Sequence, residues 1–509
     1  MQTPRESFRK FPQPLDRVAI GLMVILIVLI GILLLSGDRS APKIRDFNWQ
    51  GKQVGADDRA FLLTFSRPMD HPSVEQNLRI QPELKGKISW AGRRMAYTLD
   101  QPAPYGTEFT VSLTDARDRF SQEGSDHGIL KDFSEKFRSR DRSFAFIGAE
   151  GNEAGRLILY NLTQQDKKIL TPENLAVMDF KTYPNNDKIL FSAIERTNPP
   201  QSLAEQKLYT VATGIQINAP AQLGDSATPT ASTSSMHSGQ ITQVLDNRDY
   251  QNLKFDLSKD GRTIVVQRLS RRDPNDVGAW LIRDDQPAKP IGNKQTGGDF
   301  LITPDGNSIA VSQGQGLAIL PLQPQTEQTQ ADPLDFLPKF GTVLNFSQDG
   351  TAAAMVKFNT DYTRSMFLVS QGVQKEILKI PGSILSADFD PNNQVLYCLL
   401  TNLVPGKTFQ EQPFLAAIDL KAAREGKPME QTLRPLVLLP NQREIQVDLA
   451  PDGRALIFDQ TQADDRAKAE VNQSLANSKL WLLPLSGDLS AKTQPAELPF
   501  RGLHPRWLS

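Results

Sequence analysis

The chain has almost no cysteine or histidine: one Cys and four His among 509 residues. A single Cys398 excludes an internal disulfide framework, and its apolar strand surroundings mark it as a small buried residue rather than a nucleophile. His71, His127, His237 and His504 are scattered without ligand spacing, so no metal site is expected on them. Charge of one sign is also missing. With 57 Lys+Arg against 58 Asp+Glu the net charge is −1, which argues against a dedicated nucleic-acid binder. There is no Gly-x-Ser-x-Gly elbow and no calcium loop of the EF-hand kind. Gln313-Gly314-Gln315-Gly316 reads as a turn between strands, not a phosphate-cradling loop. No catalytic, metal or cofactor-binding residue is assigned, no cofactor is expected, and the chain reads as non-enzymatic.

One long apolar run is present. Residues 18–35 are apolar or glycine without a break, and 1–17 are polar and basic. At 1.5 Å per residue such a run can just span a bilayer core. The expectation is a cytoplasmic tail over 1–17, a transmembrane signal-anchor helix over 18–37 and a linker over 38–46. The bulk of the chain would then lie outside the cytoplasm, with a cleaved signal peptide as the competing reading.

The rest is organised by a repeated turn. Thr303-Pro304-Asp305-Gly306 leads straight into the apolar Ile309-Ala310-Val311. Pro presets φ for the turn, Asp bonds nearby backbone and Gly takes the position where φ turns positive. Tyr183-Pro184-Asn185-Asn186, Ser258-Lys259-Asp260-Gly261, Ser347-Gln348-Asp349-Gly350, Asp390-Pro391-Asn392-Asn393 and Ala450-Pro451-Asp452-Gly453 are variants, each followed by an apolar strand. The second turn residues stand at 184, 259, 304, 348, 391 and 451. The near-equal central steps of about 44 residues match one four-stranded propeller blade, and the longer steps contain insertions. A further blade begins at Ser143-Phe144-Ala145-Phe146-Ile147 but lacks its innermost strand, and His504-Pro505-Arg506-Trp507-Leu508 looks like the missing piece. Closure by that strand makes seven blades, with six as the alternative, and removes two open sheet edges.

These turns resemble the TolB-type, WD-like propeller repeat, whose hallmark is an aromatic-Ser-Pro-Asp-Gly turn. The resemblance covers roughly 141–509 and departs at Lys259, Gln348, Asn186 and Asn393. It implies a fold and not a chemistry. Residues 47–140 read as a separate β-sandwich. Thr64-Phe65-Ser66-Arg67-Pro68-Met69-Asp70 followed by Phe109-Thr110-Val111 resembles the bacterial Ig-like domain of surface-layer and adhesion proteins, which implies a spacer or adhesion module. His71 reads as a polar loop residue. The fold class expected is all-β: an N-terminal transmembrane helix, an Ig-like sandwich, then the propeller.

Segments 195–206, 268–278, 358–364, 402–413 and 459–478 are longer than hairpins need and fall between second and third strands. The Ser/Thr-rich 219–243 is placed between one blade's fourth strand and the next blade's first. In a four-stranded meander both kinds of connection emerge opposite the Pro-Asp-Gly turns, so one face is trimmed and the other decorated. Loops on a rigid scaffold carry function. Arg268, Arg271, Arg272, Asp273, Asp361, Arg364, Asp464 and Arg466 are therefore the candidate partner-binding residues, and 464–476 is a candidate short polar helix. The function expected is a membrane-anchored, extracytoplasmic binding or scaffold protein of the bacterial cell envelope. Its partner would be a protein, peptidoglycan or glycan on the decorated face, with no nucleic acid. The alternatives are a lactonase- or quinoprotein-like enzyme using the central funnel, which needs three or more acidic or amide groups converging there, and a purely structural envelope element.

Overall fold

The structure, a computed structural model, describes residues 14–36, 41–120, 128–197, 202–216, 237–284, 286–291, 298–314, 316–322, 335–337, 339–404, 406, 410–439, 444–461, 478–486 and 493–509. The leading helix, Pro14–Ser36, has its side chains described over 18–31. Among the described residues no helix is long and apolar enough to cross a membrane. This overturns the expected transmembrane anchor over 18–37 and the single-pass placement drawn from it.

Two four-stranded sheets follow. One runs Ile44–Phe47, Ala60–Phe65, Arg94–Leu99, Gly86–Ala91 in spatial order, and the other Gln53–Val54, Phe133–Ser139, Glu108–Leu113, Leu78–Gln81. Strand alternation puts Phe61, Leu63 and Phe65 of the first sheet against Phe109, Val111 and Leu113 of the second in one core. Aromatic rings fill it. Phe137 lies 4.9 Å from Trp49 and 5.1 Å from Phe109. His71 is not a loop residue. It opens the short helix His71–Asn77, which Asp70 caps by accepting the Ser73 N–H, and its ring stacks on Trp90 at 4.1 Å.

The remaining sheets form a propeller of seven blades, each running from an inner strand outward. Blade 2 is Leu175–Thr182, Lys188–Glu195, Lys207–Ala212 and Ile241–Leu245; blade 3 is Tyr250–Leu257, Thr263–Ser270, Val277–Arg283 and Lys289–Pro290. Blade 4 is Phe300–Ile302, Ser308–Gln313, Gly316–Pro321 and Asp335–Leu337; blade 5 is Thr342–Phe346, Ala352–Phe358, Arg364–Ser370 and Val373–Ile380. Blade 6 is Ile384–Phe389, Val395–Leu403, Glu411–Asp419 and Leu433–Leu438. Blades 7 and 1 share the strand Ala496–Trp507. Its start pairs with Ser478–Pro484 as the outer strand of blade 7, after Val447–Leu449 and Ala455–Thr461. Its end pairs with Ser143–Gly148 as the inner strand of blade 1, ahead of Leu157–Asn161 and Asp166–Ile169.

The turns repeat to the atom. In all seven blades the residue just past the inner strand donates its N–H to the next strand of the sheet: Tyr183 to Lys188, Ser258 to Thr263, Thr303 to Ser308, Ser347 to Ala352, Asp390 to Val395, Ala450 to Ala455 and Leu508 to Ser143. The left-handed position is filled by Gly261, Gly306, Gly350 and Gly453, and by Asn186 and Asn393 at φ of 58° and 54°. Asn is the residue that replaces Gly there at least cost, which accounts for two departures from the repeat. Proline and glycine also have a second role. A Cβ on Gly261 would stand 3.0 Å from Pro184, one on Gly350 3.2 Å from Pro304, and one on Gly453 2.8 Å from Pro391. These three turns thus seat a bare glycine against the preceding blade's proline.

The 219–243 segment differs from its reading. Residues 217–236 lie outside the described residues, but Ile241–Leu245 is the outer strand of blade 2 and pairs with Lys207–Ala212. The connection therefore joins third and fourth strands and emerges on the Pro-Asp-Gly face. The turn face is not trimmed, since blade 6 also carries the helices Leu420–Arg424 and Met429–Thr432 at this position.

That face also receives the sandwich. Asp452 of blade 7 accepts the Tyr105 N–H at 3.0 Å and pairs with Arg142 at 2.6 Å. Arg59 donates to Asn392 of blade 6 at 2.5 Å. Asp57 accepts from Gln348 of blade 5 at 3.0 Å and lies 3.6 Å from Lys259 of blade 3. Arg140 donates to the carbonyls of Pro184 in blade 2 and Ser509. Five blades are engaged. A cavity of about 170 Å³ remains at the seam, lined among others by Ala56, Asp57, Tyr105, Arg140 and Lys259.

Deleting 507–509 should cost the propeller at least the about 3–5 kcal/mol that losing a buried Trp entails, read as a lower melting temperature. Unchanged melting would disprove closure by this strand. Asp452→Ala should cost about 2–3 kcal/mol, because it leaves Arg142 and the Tyr105 N–H without their acceptor, and should speed proteolytic cutting at the 138–142 joint. Equal cutting in wild type and variant would show that this contact does not hold the sandwich.

Candidate functional site

Two regions compete, the axis and the loop-bearing face. The axis is built from equivalent positions. One residue before the end of each inner strand stand Lys181, Asp256, Leu301, Asn345, Asp388, Asp448 and Arg506, for blades 2 to 7 and then 1. They form a belt whose members reach to the next blade. Lys181 pairs with Asp256 at 3.1 Å, and Asp256 accepts the Ile302 N–H at 2.9 Å. Asn345 donates to Asp388 at 2.8 Å, and Asp448 accepts the Trp507 N–H at 2.6 Å. The charged and polar residues of the belt thus stitch blade to blade. Burial, then the charge of Asp448, pushes the Asp388 carboxyl up to about 7 against the Asn345 hydrogen bond. Burial pushes Asp448 up to about 6, opposed by Arg506, the Trp507 N–H and Lys181. Three carboxylates and one amide are thus present at the axis, the composition that funnel chemistry needs. All three carboxylates, however, are engaged in bonds between strands. Among the described residues no group of three or more His, Cys, Asp or Glu is placed to hold a metal.

The face opposite the turns carries the candidate loop residues, and they divide by role. Arg268 is buried. Its guanidinium lies 4.8 Å from the Tyr250 ring and 5.0 Å from the Trp280 ring, and it donates to Asn252 and to the Asp246 carbonyl. It braces blade 3 and presents no charge to a partner, contrary to its reading as a candidate partner-binding residue. Arg271 makes two bonds to Glu205 at 3.0 and 2.8 Å and a third to the Asn247 carbonyl, tying blade 3 to the loop of blade 2. Arg272 is the outward charge of this corner, 3.6 Å from Asp249, and Asp273 accepts the Asn275 N–H within the hairpin.

On blade 5, Asp361 accepts from Thr363 and from Lys379, bonds that hold its carboxyl down at about 2. Arg364 is turned to the Gly382 carbonyl at 3.0 Å. Asp464, Arg466 and the candidate helix over 464–476 lie outside the described residues. The structure therefore brings Arg268, Arg271, Arg272 and Asp273 to one corner, and Asp361 and Arg364 to another.

What the charge pattern missed is apolar. Phe358, Tyr362, Leu385, Leu403 and Leu438 are all exposed on this same face, on adjacent blades 5 and 6. Tyr362 is 91 % exposed at the tip of the blade 5 hairpin, and its backbone is left-handed at φ 63°. Its N–H donates to the Asn359 carbonyl, while the Asn359 N–H is held by Thr363. Phe358 is 59 % exposed, with its ring over Gly341, where a Cβ would come within 2.3 Å. The only hint in the sequence was the aromatic pair within one insertion, 358–364.

No protein-family model and no curated protein matches the sequence. Among solved structures, TolB from Acinetobacter baumannii is 10% identical over 85% of this chain and 82% of its own, with a TM-score of 0.39. An oligogalacturonate lyase from Vibrio parahaemolyticus is 10% identical over 63% of this chain and 87% of its own, with a TM-score of 0.42. The β-propeller domain of the Trilobed protease from Pyrococcus furiosus is 10% identical over 81% of this chain and 97% of its own, with a TM-score of 0.41. At these identities and scores the likeness says nothing about what this chain binds or does.

Proposed function

We propose that the chain is a binding protein that engages a protein partner through the loop-bearing face of its propeller. The observation that carries this reading is the occupation of the other face: the sandwich is bonded to the turns of blades 2, 3, 5, 6 and 7. The loop face is the one left to a partner. Its blade 5–6 corner combines the features of an energetic hot spot, namely clustered apolar side chains led by an aromatic and set on rigid strand ends. Tyr362 adds a physical reason to look there. A left-handed aromatic residue costs on the order of 1–3 kcal/mol, and a ring that is almost wholly in solvent returns little of it to the fold. The apolar composition favours protein over glycan. The paired Asp361–Lys379 leaves little net charge at the corner for a polyanion to find.

The test uses the purified full chain as bait in extract from its source cells. A triple variant, Phe358→Ser, Tyr362→Ser and Leu403→Ser, is compared with Val373→Ser, an exposed apolar residue at the start of the blade 5 outer strand and so on the turn side. The triple variant should melt like wild type and lose a specific partner by about tenfold or more, since each hot-spot truncation costs upward of 1 kcal/mol. Val373→Ser should retain that partner. Retention by the triple variant, or equal loss in both, would refute the assignment of this corner.

A further inference from the structure

We propose that the sandwich is a releasable stopper on the turn-side end of the propeller axis, and that its release opens that end to small polar solutes. The space it stops is the seam cavity of about 170 Å³. On the ring side this cavity is bounded by Thr182 and Leu257, the last residues of the inner strands of blades 2 and 3. Pro184, Lys259, Gln348 and Pro451, from the turns of blades 2, 3, 5 and 7, complete that side. Inner strands surround the axis, so a cavity walled by their ends and by the turns of four blades stands on it. The opposite wall is Gly55, Ala56, Asp57, Tyr105 and Arg140. The fit is close. A Cβ on Gly55 would lie 2.8 Å from the Arg140 guanidinium carbon, so a bare residue there lets Arg140 reach the carbonyls of Pro184 and Ser509. Lys259 and Gln348 stand where the repeat has proline, and both meet Asp57 of the sandwich. Gln348 donates to its carboxylate at 3.0 Å, and Lys259 lies 3.6 Å away.

The chemistry of the seam is what makes the stopper releasable. The sandwich closes its own core over residues 44–137, and the clusters of the ring draw only on 144–508. Among the described residues no hydrophobic cluster spans both. A polar interface between two complete cores is the kind that parts. The charged groups also keep partners on their own side. Asp452 loses the Tyr105 N–H but keeps Arg142 at 2.6 Å, and Arg142 is itself bonded to Thr163 and Leu162 of blade 1. Lys259 loses Asp57 but keeps the Gln348 carbonyl at 2.8 Å. Arg59 loses Asn392 but keeps the Asp100 carbonyl at 3.4 Å. Asp57 already has 71 % of its side chain in solvent, and Arg140 exchanges two carbonyls for water. Release therefore strands no buried charge, which is the penalty that locks most such contacts. The bodies are joined by one short connection, from Ser139 at the end of the last sandwich strand to Ser143 at the start of blade 1. The motion is a swing about that joint, with the docked form as the resting state.

The test reads access to the cavity in the full chain. Thr182→Cys places a thiol on the cavity wall. The native Cys398, buried in the second strand of blade 6, reports opening of the ring itself. Both are followed by labelling with iodoacetamide. The thiol at 182 should react about threefold or more faster at about 0.5 M salt than at about 0.05 M, because salt screens the exposed Asp57–Lys259 pair. Adding Asp57→Ala and Arg59→Ala should raise the low-salt rate about tenfold or more and flatten the salt dependence, with Cys398 unreactive throughout.

If that variant gives too little folded protein, Lys259→Ala with Gln348→Ala removes the Asp57 contacts from the ring side and should act in the same direction. Equal rates at 182 with the seam intact and cut would overturn the proposal, since the seam would then not control access. A parallel rise at Cys398 would overturn it as well, because the ring and not the stopper would be opening.

Discussion

The structure depends on one strand belonging to two sheets. Ala496–Trp507 gives its first residues to blade 7 and its last to blade 1, so the ring has no free edge at its seam. The cost of closing a loop of several hundred residues grows only slowly with its length, so the shared strand can be remote in sequence and still effective. Trp507 fixes the register with its ring edge-on to Phe144 at 5.7 Å, and Leu508 packs into the core beneath blade 2. With the ring closed, the inner strands are held at one level, and only then do the seven belt positions face one another.

Closure also gives the two faces unequal fates. Turns that seat glycine on the neighbouring proline make a polar platform rich in backbone carbonyls and Asx side chains, and the sandwich uses those groups. The opposite face has strand ends of unequal reach. The second and third strands of blade 6 run as far as Leu403 and Glu411, and the blade 5 hairpin carries its aromatic pair outward. A charged brace centred on Arg268 stiffens one side of this face, while the apolar corner lies two blades away. The asymmetry gives one face to the sandwich and leaves the other to the proposed partner.

The ring is legible in the sequence because the turn is a local device with strict backbone needs. Pro, Asp and Gly at fixed offsets can be read without knowing what surrounds them, and Asn186 and Asn393 obey the same rule in another form. The sandwich strands are legible for a similar reason, since Phe61-x-Leu63-x-Phe65 alternates with the pleat. Partnership across distance is not. Nothing near Arg268 in the chain announces that Tyr250 and Trp280 enclose it, so it reads as a partner-binding residue. The belt is hidden because its members are some forty or more residues apart and differ in type, and only ring closure makes them neighbours. The 219–243 connection falls on the wrong face in the sequence reading because Ile241–Leu245 is half polar, and its outer-strand role appears only in its pairing with blade 2. The apolar run at 18–35 suggests an anchor on composition alone, and the described helix does not meet that requirement.

The shared strand has a consequence in time. A chain made from its N-terminus has the sandwich and three strands of blade 1 long before residues 496–507 exist. Until then blade 1 carries a bare inner edge, and Phe144 and Phe146 lack the cover that Phe500 and Trp507 bring. The sandwich must likewise wait for its platform, because Asp452, its most buried contact on the ring, is among the late arrivals. For most of its synthesis the molecule is a folded cap beside an unfinished wheel, and the strand residues 496–507 convert an aggregation-prone edge into a closed ring.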